Sequence, residues 1–279
     1  MRSLAESHAS WLADGRGSPL FACAGGAADC SVYHALAPVL HDLGAWRSFE
    51  SYRGVLWACF EERLARAPTL SLLVAGIDGE SSARTLLACT RVFGPRVRVT
   101  FADVCATPLN RIRVALEPDD PDERDVRIVR EDLADAPAAA GAAFDLVVAD
   151  AFLPQFAPAR RPALLRSLAA RLGSGGVIVL REYFGELDDL LARDWRRMGR
   201  HAPRDAEVGA LWAGVGDAVR ERLVELEHRL LAAGPLYRDV PALAVDVAAA
   251  GLAIVRTYAN DACPDRVLIL ARRAPDTRA

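Results

Sequence analysis

Apolar positions divide the chain near residue 69. Before that point they recur at helical spacing over Leu4–Ala13, over Val32–Leu43 and, most regularly, over Phe49–Ala65. In the last of these Tyr52, Val55, Leu56, Cys59, Phe60 and Leu64 share one face at i, i+3 and i+4 intervals, and Pro68 closes the helix. A Gly-, Pro- and Cys-rich connector, Gly15–Asp29, separates the first two helices. After residue 69 short apolar runs alternate with helical stretches. The runs Leu70–Ala75, Val97–Ala102, Val126–Val129, Phe144–Ala149 and Val177–Leu180 read as buried strands. Helices over Ala83–Val92, Thr107–Leu116 and Arg161–Leu172 join them, with a charged loop at Glu117–Asp125 and a small-residue link at Ala136–Ala143. Gly173-Ser174-Gly175-Gly176 supplies the expected left-handed stop after the third helix.

Strand–helix alternation predicts a doubly wound, mostly parallel α/β sheet with right-handed crossovers. Two helical stretches, Leu187–Met198 and Ala206–Leu231, are more than a crossover needs and read as an insertion over about residues 186–233. A helix at Val240–Ala249 leads through Gly251 into the strand Leu252–Tyr258, and the last strand, Val267–Ala271, follows closely. A loop that short admits no helical crossover, so these two strands pair antiparallel. The expected organisation is a helical N-terminal segment, 1–68, before a seven-stranded domain, 69–279.

Candidate chemistry gathers where the strands end. Leu70–Ala75 runs into Gly76-Ile77-Asp78-Gly79-Glu80-Ser81, a glycine turn that lets the backbone bend tightly and a ligand approach the strand. The second strand ends in Asp103, a carboxylate suited to two ribose hydroxyls. Thr107 and Pro108 supply their own cap and first turn for the next helix, so Asp103 is not needed there and is free for a ligand. Acids recur at Asp132 after strand three and at Asp150 after strand four.

Composition narrows the classes. The chain has 279 residues, net charge −3 and a balanced share of charged residues, which is globular and carries no nucleic-acid footprint. Its basic residues number 34, all Arg, so a lysine Schiff base is excluded. The six cysteines lack CxxC pairs, and no export signal or apolar run of membrane-spanning length is present. A reduced, cytoplasmic protein without membrane or nucleic-acid partners is expected, with room left for a homodimer. Eight aromatic rings between Trp11 and Phe60 pack this segment onto the main domain or line an apolar pocket.

The ordered set of Gly76–Glu80, Asp103, Asp132, FDLVVAD ending at Asp150, LGSGGVIVL entering strand five, and the closing hairpin resembles the class I S-adenosylmethionine-dependent methyltransferases over roughly 69–273. The pattern departs from that family at Val74, where an acid is often found, and at Asp78 or Gly79, where a further glycine is usual. The resemblance implies a Rossmann-like fold, S-adenosyl-L-methionine as cofactor and methyl transfer to a small-molecule acceptor, aromatic or otherwise apolar and in keeping with specialised metabolism. It also implies roles: Gly76 and Gly79 admit the methionine part, Glu80 or Ser81 meets its amino or carboxylate group, and Asp103 holds the ribose. Asp132 and Leu133 face the adenine, and Asp150 lies between cofactor and acceptor.

In-line displacement at a sulfonium needs alignment more than proton transfer. Asp150 could orient a substrate group, and where a base is required the candidates are Tyr183, Glu182 and His201, with His34 and His41 in the N-terminal segment. No metal is expected, because Ala151-Phe152-Leu153 places no second acid directly after Asp150. Competing readings are an aminopropyltransferase of the spermidine-synthase type, a dinucleotide-dependent oxidoreductase, and a scaffold that retains the fold without catalysis.

Overall fold

The computed structural model describes residues 49–77, 79–116, 125–135, 143–185, 236–260 and 263–273. The helices expected over 4–13, 32–43, 187–198 and 206–231, and with them His34, His41 and His201, lie outside the described residues. The described part is one seven-stranded sheet in the order β3-β2-β1-β4-β5-β7-β6. The strands are β1 Leu70–Ala75, β2 Val97–Asp103, β3 Val126–Arg130, β4 Phe144–Asp150, β5 Leu172–Tyr183, β6 Leu252–Asn260 and β7 Cys263–Arg273. The first five run parallel, and β7 enters antiparallel between β5 and β6, closing the sheet as the short last loop requires.

Helices α1 Arg53–Leu64, α2 Glu80–Thr90, α3 Ala106–Leu116, α4 Arg161–Ala170 and α5 Val240–Ala249 cover the two faces. Side chains of successive strand residues point to opposite faces, and two cores form accordingly. Leu72, Val74, Val99, Phe101, Val148 and Val179 pack with Leu56, Phe60, Leu86 and Ile112 from α1, α2 and α3. Leu73, Ala75, Val147, Ala149, Ile178 and Leu180 pack with Leu164, Leu168, Leu243 and Val247 from α4 and α5. The apolar stripe read from α1 is the buried one: Tyr52, Leu56 and Phe60 are fully covered, and Val55, Cys59 and Leu64 pack at its margin. Trp57 and Phe60 also meet Phe93, in the turn before β2, at ring separations of 5.0 and 5.5 Å.

Two expectations need correction. The glycines at 173–176 do not stop a helix, since α4 already ends at Ala170 with a right-handed cap at Arg171. They lie inside β5, where a Cβ on Gly176 would come within 2.9 Å of the Phe144 carbonyl oxygen. Close approach of β4 at an irregular register, rather than helix termination, selects glycine there. Helix α3 begins at Ala106, which puts Thr107, fully buried, inside the first turn rather than at the cap.

Chain order reverses between β1 and β4: the chain steps outward through β2 and β3, then returns to the other side of β1. Ligands of open α/β sheets bind outside the carboxyl ends of the strands at such a switch point.

Candidate functional site

The switch point is built from the glycine turn after β1 and the loop after β4. Gly76 has φ +71°, and a Cβ there would collide with the Phe152 ring. Phe152 is itself half-buried and stacks edge-on against Phe156 at 5.0 Å. The close approach that Gly76 permits is therefore first of all that of an aromatic ring, which floors the crevice between β1 and β4. Ala151, between Asp150 and this ring, has φ +49°, a left-handed conformation rare for a residue with a Cβ. The backbone thus turns sharply as it leaves Asp150.

Asp103 stands where the sequence places it, at the end of β2, and Gly76 donates its amide to the neighbouring Ala102 carbonyl at 2.9 Å. It is not idle. Its Oδ2 accepts from the Ile77 amide at 3.1 Å and its Oδ1 from the Cys105 amide at 2.7 Å. One carboxylate thus ties the turn after β1 to the turn after β2. The expectation of a free carboxylate is corrected: Asp103 does not cap α3, but it accepts from one amide in the turn ahead of it and from one in the turn after β1.

Glu80 opens α2 behind Gly79 and Ser81, and its Oε1 accepts from Arg111 of α3 at 2.6 Å, with Arg111 almost entirely buried. Its other oxygen, Oε2, is buried and has no hydrogen-bond partner among the described residues. Asp132, exposed beyond β3, caps its own turn by accepting from the Ala134 amide at 2.9 Å. Leu133 is in the core beside Ala102 and Ala149. The edge therefore brings together Gly76, Glu80 and Asp103, with Asp132 one strand further out.

Asp150 forms a second group with Tyr183, through Arg181, and with two residues the sequence did not single out for chemistry, Tyr52 and Arg181. Its Oδ1 accepts from Arg181 Nε in a short ion pair, and its Oδ2 accepts from the Tyr52 hydroxyl at 3.0 Å. Arg181, also buried, donates through Nη2 to the Tyr183 hydroxyl at 3.4 Å. Burial opposes the guanidinium charge, and the carboxylate of Asp150 with the two phenols outweighs it. Tyr52 was legible only as one more position on an apolar face. Nothing in FESYRG indicates that it reaches the end of β4. Arg181 follows the strand-five run directly, and its pairing with Asp150 is set by the register that places the two side by side.

On the opposite face of β5, Glu182 is fully buried, and neither carboxylate oxygen makes a hydrogen bond of normal geometry among the described residues. Burial, and after it the charge of Asp150, push its pKa well above the ordinary carboxylate range, against the pull of Arg161, the Leu153 amide and Arg181. Arg161 lies 4.8 Å over the Tyr237 ring, whose hydroxyl donates to Asp246 at 2.6 Å. Among the described residues no group of three or more His, Cys, Asp or Glu could hold a metal ion, and no helix is long and apolar enough to cross a membrane.

No family model and no curated protein matches the sequence. Solved structures do match in three dimensions. Magnesium protoporphyrin IX methyltransferase from Synechocystis PCC 6803, solved with bound S-adenosylhomocysteine, superposes with a TM-score of 0.51 at 15% identity, over 90% of both chains. The CMeT domain of the citrinin polyketide synthase gives 0.53 at 13% identity over 77% of this chain, which spans 50% of that one. A Rhodobacter sphaeroides protein provisionally described as a Zn-dependent alcohol dehydrogenase gives 0.51 at 14% identity, over 84% of this chain and 98% of its own. The antiparallel β7 between β5 and β6 departs from the 3-2-1-4-5-6 order of dinucleotide-binding sheets. This is the class I methyltransferase fold. At such identities the likeness is one of fold. Within the class I methyltransferase fold the glycine turn, Asp103 and Asp150 all stand at the carboxyl edge of the sheet, while the other acid of FDLVVAD, Asp145, lies at the far end. There Asp145 pairs with Arg63 and accepts from the Ser71 amide at 2.8 Å, which is a structural staple.

Proposed function

We propose that the chain is an S-adenosylmethionine-dependent methyltransferase acting on a small molecule. Glu80 carries the reading. A buried, unmatched carboxylate oxygen beside the glycine turn, on the edge that also holds Asp103, suits the ammonium group of an amino-acid-bearing nucleoside. Gly76 and Gly79 would give the backbone access to that part of the cofactor, with Ser81 beside the carboxylate. Asp103, its orientation fixed by two amides, would face the ribose hydroxyls. Asp132 would lie toward the adenine amine, and Leu133 would back that wall from the core.

Bound S-adenosylmethionine supplies a methyl group activated by a sulfonium. The protein's part is then to align the acceptor, to exclude water and, for a protonated acceptor, to remove a proton. Asp150 would orient the acceptor, with Tyr183 beside it and His201 as a further base candidate. The citrinin synthase domain among the similar structures supports a small-molecule acceptor of specialised metabolism. The pairing of Asp150 with Arg181 weighs against aminopropyl transfer, because a cationic amine would meet a carboxylate that is already neutralised.

Calorimetry on the full chain tests the reading with S-adenosylmethionine, S-adenosylhomocysteine and decarboxylated S-adenosylmethionine. Binding of the first two is expected. Heat with the decarboxylated form alone would favour aminopropyl transfer, and heat with none would mark a fold kept without catalysis.

A further inference from the structure

The group around Asp150 has one feature that its internal pairing does not use. Arg181 spends Nε on Asp150 and Nη2 on Tyr183, but Nη1, buried, has no hydrogen-bond partner among the described residues. The side chain is only 9% exposed, and the rings of Tyr52 and Tyr183 lie 6.0 and 5.4 Å from its guanidinium carbon. A desolvated, charge-bearing donor without an acceptor is destabilising unless something fills the place. The edge of the switch point where Asp150 ends β4 is where an acceptor would sit.

Charge decides what kind. On this face Asp150 and Arg181 sum to zero. Glu182 points to the other face of β5, toward Arg161 and Tyr237, and its burial disfavours the anion. A cation entering here meets an arginine. An anion meets an arginine whose charge Asp150 has already balanced. An uncharged oxygen takes the free N–H without unbalancing the pair.

We propose that Arg181, framed by Tyr52 and Tyr183 and balanced by Asp150, anchors the acceptor and selects an uncharged ring compound that presents a carbonyl or hydroxyl oxygen to Nη1. This rests on the methyltransferase reading for its meaning, although the anchoring itself can be tested without cofactor.

Benzamide, benzoate and benzamidine share one shape and differ in charge. Their dissociation constants are measured by NMR titration into the full chain, with and without S-adenosylhomocysteine. Benzamide is expected to bind best, with the two ions about tenfold weaker or more. In Asp150→Asn the pair gains one positive charge, and the preference should pass to benzoate. Arg181→Gln should weaken benzamide about tenfold, the effect of losing one hydrogen bond to a charged donor. Should that variant not fold, because Asp150 is left buried without its counter-ion, the double variant D150N/R181Q takes its place with the same expectation. Equal binding of all three probes, a preference for benzamidine, no binding at all, or an unchanged ranking in Asp150→Asn overturns the proposal. A failure of S-adenosylhomocysteine to bind while the ranking holds would count against the methyltransferase reading and leave the anchoring site standing.

Discussion

Replacing Glu182 by Gln removes a carboxyl whose ionisation burial opposes. The side chain is 0% exposed, and neither oxygen finds a hydrogen bond of normal geometry among the described residues, so its anion would be stranded. Burial first and the charge of Asp150 second raise its pKa well above the ordinary 4.5, and Arg161, the Leu153 amide and Arg181 only partly offset this. The sign follows from proton counting. Below the ordinary value folded and unfolded chains both hold the proton, and Glu182 adds no slope. Above it the unfolded chain releases the proton while the folded chain keeps it. Stability then falls as pH rises, by about 1.4 kcal/mol per pH unit, until the folded value is passed. Tyr237 is also shifted upward, by burial and by Asp246, from an ordinary value of 10.0, so a scan that stops at about pH 8 leaves it protonated. Urea unfolding at pH 5, 6, 7 and 8 reads the effect. Glu182→Gln should gain on the parent chain as pH rises from 5 until the folded value of Glu182 is passed, and its own buried amide contributes an offset that does not depend on pH. Parallel curves for the two chains would refute the reasoning, whichever lies higher.

Gly76→Ala should cost about 2–5 kcal/mol, the sum of a left-handed conformation and a collision with Phe152, and Gly76→Ala/Phe152→Ala should recover only the collision part. Strict additivity in that double-mutant cycle would show that the ring does not press on the glycine. Tyr52→Phe removes the 3.0 Å hydrogen bond to Asp150 and should lower stability by about 1–3 kcal/mol, so an unchanged urea midpoint would exclude it. Asp103→Ala should weaken S-adenosylmethionine binding by about 1–3 kcal/mol and also lower the melting temperature, because the Ile77 and Cys105 amides lose their acceptor. A folded variant with unchanged affinity by calorimetry would remove Asp103 from the site.

The sheet was legible because its signals are local and repeated. Five apolar runs separated by helical stretches leave little choice but parallel order, and a last loop of a few residues leaves only an antiparallel return. Helix α5 matches its apolar stretch at both ends for the same reason, with Asp239 accepting from the Ala242 amide at 2.8 Å as its cap. Contacts fixed by strand register were not legible. Arg181 lies beside Asp150 because Leu146 is aligned with Val177, and no spacing in the sequence announces it. Tyr52 meets Asp150 across 98 residues of chain. The packing of Phe152 on Gly76 gave no signal, because a half-buried loop ring carries no periodicity and a positive φ does not say what approaches it. Asp103 was placed correctly, but its backbone partners lie in two different turns and become visible only when those turns meet.

That distinction also ranks the acids. Asp145 spends both oxygens on the fold, on Arg63 and on Ser71, at the end of the sheet away from the crevice. Asp150 spends both on groups that belong to the crevice itself. Asp103 gives each oxygen to an amide, and Glu80 gives one oxygen to Arg111 and leaves the other buried and unmatched among the described residues. A carboxylate that binds a ligand must be held in place by something other than the ligand, or its side-chain entropy is lost again at every binding event. It must also keep capacity unspent. By both conditions Glu80 is the acid of this edge that suits direct contact with a cofactor, with Asp103 held beside it by two amides. Asp150, fully engaged, acts by fixing the charge and direction of Arg181 and Tyr52. On the proposed reading the acceptor would meet a guanidinium and two phenols rather than a free carboxylate.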